Sequence, residues 1–495
     1  MNPPTGPAPV SGPPSVPTSQ AAQGAGPVPT SGPPPVSAPV SGTVSDAVLT
    51  RAAELYLDLH RHPELSGSEE RTAARFAAAL RAAGLRVERG VGGHGVVGVL
   101  ANGPGPVVML RAELDALPVR ENTGLAYASS ATAAGPDGAP VPVMHACGHD
   151  MHLACAAGAA ASLAGAADRW QGTLVVVGQP AEETLSGAAA MLADGLYRRF
   201  PVPDDVLAQH VVPLPAGMVA HAQGPLLAGS VTLEIVLYGR GGHASTPQFA
   251  ADPVITAAAV VLRLQTVVSR ETGPGEPLVL TVGSVRAGTP GAGNVIADSA
   301  TLQVTVRAFS DAALDRAVAA VHRIARAESA ASPDPQPPAP DLRVLSRSCP
   351  TVPDAELTTA VRRAHEAAFG PQRVTRWQPS TATEDFALYG DAGRALHGVP
   401  GIRTGYWMLG AVGPRQWVEA GRGDTDTAGR LAALPPNHSP RFAPHPRLTL
   451  EAGIAAMAVA VQARMPSVKV ASTASSVSTT PSRQDRPAGR GTAGT

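Results

Sequence analysis

Apolar residues form short continuous runs in the first part of the chain. These runs cover residues 107–110, 174–177 and 206–208, and a helix-like segment of small residues, 153–164, lies between the first two. Continuous apolar runs of this length are typical of strands that are buried on both faces of a parallel sheet. Because such strands alternate here with helices, the pattern predicts an open α/β sheet flanked by helices.

The pattern changes near residue 225, where apolar residues begin to occupy every second position. Strand and helix patterns then follow one another along the chain: strands at 230–238, 278–285 and 301–307, helices at 252–269 and 311–327. Alternation of this kind is typical of strands with one buried and one exposed face. Strands of this type with helices on one face predict a small two-layer α+β domain.

Helix and sheet patterns resume from residue 356 and end in a helix at 448–464, so the second domain is predicted to be inserted into the first. The predicted units are an arm at 1–45, the first domain in two parts at 46–224 and 343–465, the inserted domain at 225–342, and a tail at 466–495. The arm is rich in Pro, Gly, Ser, Ala and Val, and the tail is rich in Ser and Thr. Such segments bury too little apolar surface to offset their ordering entropy, so we expect both to be disordered.

Composition argues against several classes of partner. The chain has 495 residues, and its 38 Lys and Arg balance 39 Asp and Glu, which gives no electrostatic reason to expect a nucleic acid or an anionic membrane. No uninterrupted apolar run reaches the roughly 18 residues of a membrane span, and the N-terminus has no secretory signal pattern. The three cysteines are too few for a disulfide framework, which predicts a reducing, cytoplasmic location.

The segment 144–152 concentrates candidate metal ligands. Its sequence, MHACGHDMH, places Cys147, His149 and two further histidines close together. Thiolate and imidazole are ligands that zinc and similar ions prefer, and Gly148 allows a turn through which both side chains could face one centre. For this segment taken alone, the alternative is a buried core cysteine beside surface histidines.

Further polar residues follow the other apolar runs. Two adjacent acids, Glu182 and Glu183, come after the run at 174–177. A cation that neutralises one acid while the other acts as a base would explain the pair. A solvated helix start, where acids interact favourably with the helix dipole, would explain it as well. His210 follows the run at 206–208, where a structural role is also common. The segment 111–118 places an arginine and two acids after another run, where they could simply pair.

These polar segments share one position in the predicted fold, because each follows or ends a strand-like run. Ligands of open α/β sheets collect outside the carboxyl ends of the strands. The coincidence therefore predicts a metal site at that edge of the sheet.

Seven longer motifs make the resemblance to a known family definite. In chain order they are RAELDALPV (111–119), MHACGHDMH (144–152), GQPAEE (178–183), GRGGHAS (239–245), NVIAD (294–298), EDFALY (384–389) and NHSPRF (437–442). This series resembles the aminoacylase/hippurate-hydrolase family, which includes N-acyl-amino-acid amidohydrolases and plant auxin-conjugate hydrolases. The resemblance implies an α/β catalytic domain with a mixed, mostly parallel sheet, an inserted ferredoxin-like α+β domain that serves as lid and dimerisation domain, and hydrolysis of N-acyl amino acids.

Carried over residue by residue, the resemblance implies a site for two divalent metal ions. The implied ligands are Cys147, which would bridge the two ions, and His149, Glu183, His210 and His438. Glu182 is implied as the general base and Asp115 as the residue that orients the ligands. His243 is implied to polarise the scissile carbonyl, across a homodimer or after domain closure, and Asn294 to lie near the substrate.

The resemblance has departures and leaves alternatives open. Glu113 stands where Asp is common, Arg240 replaces a frequent Lys, Ala297 replaces a frequent Pro, and the loop 129–143 is longer than usual. The motifs do not distinguish Zn from Mn, Co or Ni. A dipeptidase or exopeptidase with the same ligands, a catalytically silent metal-binding scaffold, and a cysteine hydrolase that uses Cys147 are the alternative functions.

Overall fold

The computed structural model describes residues 44–135, 138–334, 336–422 and 426–466. The arm and the tail that were predicted to be disordered lie almost entirely outside the described residues, as do residues 136 and 137 of the long loop. The helices are, in chain order, α1 (Asp46–Arg61), α2 (Glu70–Ala82), α3 (His149–Ala164), α4 (Gly187–Ala193), α5 (Leu196–Arg199), α6 (Pro253–Arg270), α7 (Asp311–Ala330), α8 (Ala355–Phe369), α9 (Arg394–His397), α10 (Pro414–Ala420), α11 (Thr427–Ala433) and α12 (Pro446–Gln462). The strands are β1 (Arg86–Val91), β2 (Gly95–Asn102), β3 (Val107–Glu113), β4 (Thr132–Ala134), β5 (Pro140–Pro142), β6 (Gly172–Gln179), β7 (Asp205–Pro215), β8 (Val219–His221), β9 (Gly229–Tyr238), β10 (Gly242–His243), β11 (Leu278–Ala287), β12 (Val295–Ile296), β13 (Ser299–Ala308), β14 (Asp341–Ser348), β15 (Val374–Arg376) and β16 (Arg403–Val412).

The first domain is built around a sheet of eight strands in the order β1-β2-β6-β3-β7-β16-β8-β15. The central strands β6, β3, β7 and β16 run parallel, whereas the pairs β1/β2, β2/β6 and β16/β8 are antiparallel. Strands β3 and β6 are buried along almost their whole length, as continuous apolar runs predict. The prediction of a mixed, mostly parallel sheet flanked by helices is confirmed.

Helices α1, α2, α3, α8 and α12 share one apolar core with this sheet. Helix α3 is central, since it contacts three of these helices as well as β3, β6 and β7. Its small residues allow close packing: a Cβ on Gly158 would lie 2.6 Å from the side chain of Ile454. The predicted start of this helix, at 153, is wrong; it begins at His149, because Gly148 ends the preceding turn and the polar residues that follow already adopt helical geometry.

Apart from the short paired strands β10 and β12, the inserted domain has the order β9-α6-β11-β13-α7-β14. Its four strands form an antiparallel sheet in the order β11-β13-β9-β14, and both helices pack on one face. This is the ferredoxin-like arrangement that was predicted for this part of the chain. The sheet includes β14, so it extends to Ser348 rather than ending at 342.

Strand β7 is longer than its apolar run suggests. The prediction that the strand stops near residue 208, just before His210, is wrong, since β7 continues to Pro215. The reason is tertiary: β16 pairs with β7 along this stretch, so the backbone stays extended on both sides of His210. The histidine therefore projects from the middle of a strand.

One described helix, α6, is long and apolar enough to cross a membrane by length and composition alone. This is weak evidence, because core helices pass the same test. Residues Ala257, Val260, Leu264 and Val267 of α6 are buried in the core of the inserted domain.

Candidate metal centre and active-site cavity

The segments singled out in the sequence meet at one edge of the large sheet. Strand β3 ends at Glu113, and its parallel neighbour β6 ends at Gln179, shortly before Glu182. Helix α3 starts nearby, after Gly148 in the left-handed conformation with φ 85°. A Cβ on Gly148 would lie 2.4 Å from Cγ2 of Val211, so the turn needs glycine for space as well as for conformation.

Cys147 lies between two histidines at the centre of the cluster. Its Sγ is 3.3 Å from Nε2 of His210 and 3.3 Å from Nε2 of His438. Oε1 of Glu183 is 3.5 Å from the same Nε2 of His438. Sulfur and nitrogen ligands of a tetrahedral zinc ion stand about 3.6 Å apart, given the usual bond lengths. The observed separations therefore fit side chains that share small cations.

His149 faces the same centre with a free ring nitrogen. Its Nδ1–H donates to the backbone oxygen of Asp115 at 2.8 Å. Its Nε2 lies 3.7 Å from Glu182 and 3.8 Å from Glu183. Among the described residues, neither this Nε2 nor the buried Oε1 of Glu183 has a hydrogen-bond partner. Because buried polar atoms are rarely left unpaired, both atoms fit coordination to a metal ion.

The ligand atoms form two groups that share one thiol. Cys147, His149 and His210 form the first group, and Cys147, Glu183 and His438 form the second. Within each group the ligand atoms lie within 4.8 Å of one another. All five residues that the sequence pointed to as ligands are thus close together, and two triplets around one thiol fit a pair of ions.

The charges around the thiol favour cations. Burial raises the pKa of Cys147 well above its usual range, and the carboxylates of Glu183 and Glu182 raise it further. Burial likewise raises the pKa of Glu182, together with the charges of Glu384 and Glu183. The thiol and the carboxylates oppose one another's ionisation. Positive ions between them would stabilise their ionised forms.

The two histidines of the first group have opposite pKa shifts. Burial acts to lower the pKa of His149, but the hydrogen bond to Asp115 and the charge of Glu113 raise it to about 10. Burial and the nearby rings of His152 and His149 hold the pKa of His210 well below its usual range. The acids around His149 therefore favour positive charge at this ring.

The loop before α12 is tied to the cluster through its backbone. His438 adopts a left-handed conformation with φ 68°, and its N–H donates to the oxygen of Ala146 at 2.8 Å. The side-chain amide of Asn437 donates to the backbone oxygens of Cys147 at 3.2 Å and Val211 at 3.0 Å. These bonds fix His438 opposite the thiol.

The cluster opens into a cavity of about 590 Å³ between the two domains. The inserted sheet supplies a polar wall: Ser230, Thr232, Thr305, Arg307 and Ser346. The first domain supplies an apolar wall: Leu185, Val212, Pro213, Leu227, Trp377 and Met408. A cavity of this volume with a few convergent polar groups is typical of a site for a small molecule.

Two residues implied by the resemblance do not line this cavity, namely His243 and Asn294. Both are exposed in the inserted domain, where the short strands β10 and β12 pair and the N–H of Ala244 donates to the oxygen of Asn294 at 2.9 Å. The hydroxyl of Ser245 donates to Nδ1 of His243 at 2.8 Å. Within one chain, these two residues are not part of the cavity wall.

Arg111 pairs with Glu113 of its own segment, as the alternative interpretation of 111–118 allowed, but the wider buried network around it was not predicted from the sequence. Its guanidinium contacts Glu113, Glu384 at 2.7 Å and Asp385 at 3.2 Å. Glu384 also lines the cavity, and its carboxylate is grouped with that of Glu182. The signal for this network is that the motifs at 111–119 and 384–389 both carry charged residues, but nothing local pairs segments so far apart.

Comparison with known proteins agrees with the site geometry. The sequence model of peptidase family M20/M25/M40 matches residues 109–416. The chain is 35% identical over 342 residues to the IAA-amino acid hydrolase ILR1-like 2 of Arabidopsis thaliana, which covers 67% of this chain and 72% of that relative. It is 34% identical over 366 residues to the N-acetyl-L-cysteine deacetylase of Bacillus subtilis, which covers 72% of this chain and 80% of that relative.

The fold is also similar to a solved structure, the YXEP protein of Bacillus subtilis, described as a dinuclear metal binding peptidase from the M20 family. The match has a TM-score of 0.64 at 26% sequence identity and covers 85% of this chain and 100% of that chain. The family match and the dinuclear description of this structure agree in the number of metal ions. The chain belongs to peptidase family M20/M25/M40 and is a metal-dependent amidohydrolase with a site for two metal ions.

Proposed function

We propose that the chain hydrolyses the amide bond of small N-acyl amino acids and releases a carboxylate and a free amino acid. The observation that carries the proposal is the convergence of the ligand side chains and a buried carboxylate, Glu182, around one cavity. The proposed ligands of the two divalent ions are Cys147, His149, Glu183, His210 and His438. Two similar relatives are named for substrates of this class, IAA–amino acid conjugates and N-acetyl-L-cysteine.

Glu182 is the proposed general base. It lines the cavity, and burial and neighbouring carboxylates raise its pKa, which suits a group that first accepts a proton and then returns it. The two metal ions, when bound, lower the pKa of water and polarise the substrate carbonyl. Glu182 takes a proton from the attacking water and delivers it to the nitrogen of the leaving amine.

Asp115 is the proposed orienting residue for this centre. Its backbone oxygen accepts the Nδ1–H of His149, which fixes the tautomer whose Nε2 is free. Its carboxylate accepts the backbone N–H of Glu183 at 2.9 Å and the hydroxyl of Ser66 at 2.7 Å. Burial acts to raise the pKa of Asp115, but the hydrogen bond and charge of His149, followed by the bonds from Ser66 and Glu183, lower it below its usual range. The ionised residue thus holds two ligand-bearing segments at once.

Arg307 is proposed to bind the carboxylate of the amino-acid half. It is the only arginine or lysine that lines the cavity among the described residues. Its Nη1 donates to the backbone oxygen of Thr381 at 2.7 Å, which holds the guanidinium at the junction of the two domains. A planar guanidinium matches carboxylate geometry. Substrates whose carboxylate is replaced by an amide should therefore show a raised KM.

The central test replaces the base without changing its size. Glu182→Gln is expected to keep both metal ions and to lower kcat at least about 100-fold, the scale of general acid–base catalysis. Metal content and turnover are measured on the same preparation, with acetyl, benzoyl, indoleacetyl and aminoacyl amino acids as substrates. Near-normal turnover by this variant would refute the role of Glu182.

The same substrates separate the alternative functions. Preference for aminoacyl amino acids would favour a dipeptidase, and no hydrolysis by metal-loaded protein would favour a silent scaffold. A cysteine hydrolase would survive chelators and fail on thiol alkylation; the raised pKa of Cys147 disfavours it, because the thiolate is the nucleophile.

We also propose that the chain acts as a homodimer in which the partner subunit supplies His243 and Asn294 to the cavity. The inserted domain offers an open sheet edge at β11. It also exposes large apolar side chains, since Phe249, Ile255 and Leu262 are 72%, 68% and 73% exposed. Open edges and apolar patches of this kind are typical of surfaces that bind another copy.

Mixing two inactive variants tests the homodimer. Glu182→Gln and His243→Ala proteins are unfolded together, refolded and assayed. If His243 acts across the dimer, each mixed dimer has one complete site and the mixture regains about a quarter of wild-type activity. If His243 acts within its own chain, no mixed site is complete and no activity returns.

A cytoplasmic location is proposed from the cysteines. Cys147, Cys155 and Cys349 are all free thiols in the structure, which suits a reducing compartment. Fractionation of the native cells with an antibody against the chain would test this location.

A further inference from the structure

His152, the last histidine of MHACGHDMH, lies between two proposed metal ligands. It is fully buried, and its ring centroid is 4.6 Å from that of His210 and 5.5 Å from that of His149. Its place in the same motif makes it a candidate ligand, and its ring atoms fall within 4.8 Å of ligand atoms of Glu113 and His149. The proposed reaction assigns it no part.

The hydrogen bonds of His152 show that it is not a ligand. The backbone N–H of Val211 donates to its Nε2 at 2.9 Å, so this nitrogen is an acceptor and the ring proton is on Nδ1. Nδ1–H donates to Oε2 of Glu113 at 2.7 Å. Both ring nitrogens are therefore occupied, unlike those of His149, whose Nε2 is unpaired.

These bonds connect a buried charge to a metal ligand. The other oxygen of Glu113 contacts the guanidinium of Arg111, which is itself fully buried. At the other end, the backbone oxygen of Val211 accepts Nδ1–H of His210 at 2.8 Å. The sequence of contacts thus runs from Arg111 through Glu113 and His152 to the N–H of Val211, and from the carbonyl of the same residue to the ring of His210.

We infer that His152 and Glu113 are positioning residues of the metal centre. Together they hold the N–H of Val211, and the carbonyl oxygen of the same residue keeps the proton of His210 on Nδ1 and leaves Nε2 directed at the thiol. Groups that orient a ligand in this way set metal affinity. The inference deepens the proposed function, because it rests on the proposed ligands.

The inference also gives the unusual glutamate at 113 a physical role. One oxygen of Glu113 must contact Arg111 while the other contacts Nδ1 of His152. Glutamine has the same length, but its amide NH₂ would have to face either the guanidinium or the imidazole N–H. In both orientations two donors oppose each other, so the contact with His152 or the contact with Arg111 is lost.

The test measures metal binding without turnover. Glu113→Gln and His152→Asn proteins are stripped of metal and titrated with Co²⁺ against a chromophoric chelator. We expect the dissociation constant to rise roughly 10–100-fold in both, as for other groups that orient metal-bound histidines. The visible spectrum of the Co²⁺-loaded variants should also shift, because it reports the geometry of the ligands at the ion.

Two matched controls separate positioning from general destabilisation. Asp205→Asn removes a different buried acid, which lies on β7 and pairs with Arg403 and Arg464. His365→Asn removes another buried hydrogen-bonded histidine, which lies in the core under α12. Both controls should unfold more easily than wild type and keep its Co²⁺ affinity and spectrum.

Wild-type Co²⁺ affinity and spectra in both test variants would overturn the inference and leave the pair as ordinary core residues. Glu113→Asp keeps the negative charge and should retain more affinity than Glu113→Gln; equal losses in the two would also overturn it. If Glu113→Gln does not fold, Glu113→Asp is measured against wild type in its place. Wild-type protein that binds two ions but hydrolyses no N-acyl amino acid would refute the proposed function alone, whereas protein that binds no ions would refute both.

Discussion

Two groups of histidines lie on or beside the large sheet, and their surroundings differ. His149, which is buried at the start of α3, and the half-buried His210 of β7 lie among carboxylates and a thiol. His221 and His365 lie towards the other end of the sheet, where Nε2 of His221 is 3.0 Å from Nδ1 of His365 and Nε2–H of His365 donates to the oxygen of Ala456 at 3.0 Å. The second pair is surrounded by rings and aliphatic side chains and has no carboxylate bonded to it among the described residues.

The difference shows that burial alone does not decide what a histidine does. Burial lowers the pKa of His365 to about 4 and, with the charges of His365 and Arg362, lowers that of His221 to about 2, so this pair stays neutral and structural. His149 is buried as fully, yet carboxylates raise its pKa to about 10. Neighbouring acids make a buried histidine a site for positive charge, whether a proton or a metal ion.

The largest expected effect separates the two groups by activity. His210→Asn should lose one of the two metal ions and lower kcat at least about 100-fold, because the ion's charge stabilisation is worth several kcal/mol. His365→Asn should keep both ions and nearly normal kcat, while it lowers the free energy of unfolding by about 1–3 kcal/mol through a lost buried hydrogen bond. The two variants are compared by metal analysis, steady-state kinetics and urea unfolding. Loss of metal and kcat in His365→Asn, with loss of stability alone in His210→Asn, would contradict the comparison.

An intermediate effect concerns acid stability. The pKa of His365 is about 4 in the folded protein against 6.5 for the free side chain, so the unfolded chain takes up the proton first as the pH falls. Stability from this group is present above pH 6.5 and is lost between pH 6.5 and about 4, by roughly 3 kcal/mol in total. Urea unfolding of wild type and His365→Asn should show the two curves converging as the pH falls through this range. Parallel curves would contradict the neutral state of His365.

The smallest effect concerns a buried histidine that belongs to neither group. Both ring nitrogens of His145 lack hydrogen-bond partners among the described residues, and burial lowers its pKa to about 4. His145→Met loses no hydrogen bond, so the free energy of unfolding should change by less than about 1 kcal/mol or rise. A decrease of more than about 2 kcal/mol in the free energy of unfolding would mean that His145 has a polar partner. His145 would then form a third kind of buried histidine beside the two compared above.

The sequence predicts the sheet well because strands such as β3 and β6 are buried on both faces. Burial on both faces requires continuous apolar runs, which are visible in the sequence. The sequence also predicts the edge of the sheet at which the site lies, since Glu182 follows the end of a strand. It does not distinguish among His145, His149 and His152, which share one short motif. Only the free nitrogen of His149, the occupied nitrogens of His152 and the unpaired ring of His145 separate them, and all three depend on tertiary contacts.

Other features depend on contacts between distant positions. Arg111 and Glu384 pair across most of the chain, and neither local pattern indicates the other. The extension of β7 past His210 depends on its pairing with β16. The positions of His243 and Asn294, outside the cavity, follow from the packing of the inserted domain rather than from the motifs that contain them.

The two walls of the cavity have separate origins, and this division bears on how the enzyme can diversify. The proposed metal ligands all belong to the first domain, whereas Thr232, Thr305 and Ser346 belong to the inserted sheet. Mutations at these three positions can reshape the space offered to a new substrate while the chemistry itself is inherited intact. A library confined to them would explore selectivity without the loss of metal that accompanies most changes near a catalytic centre.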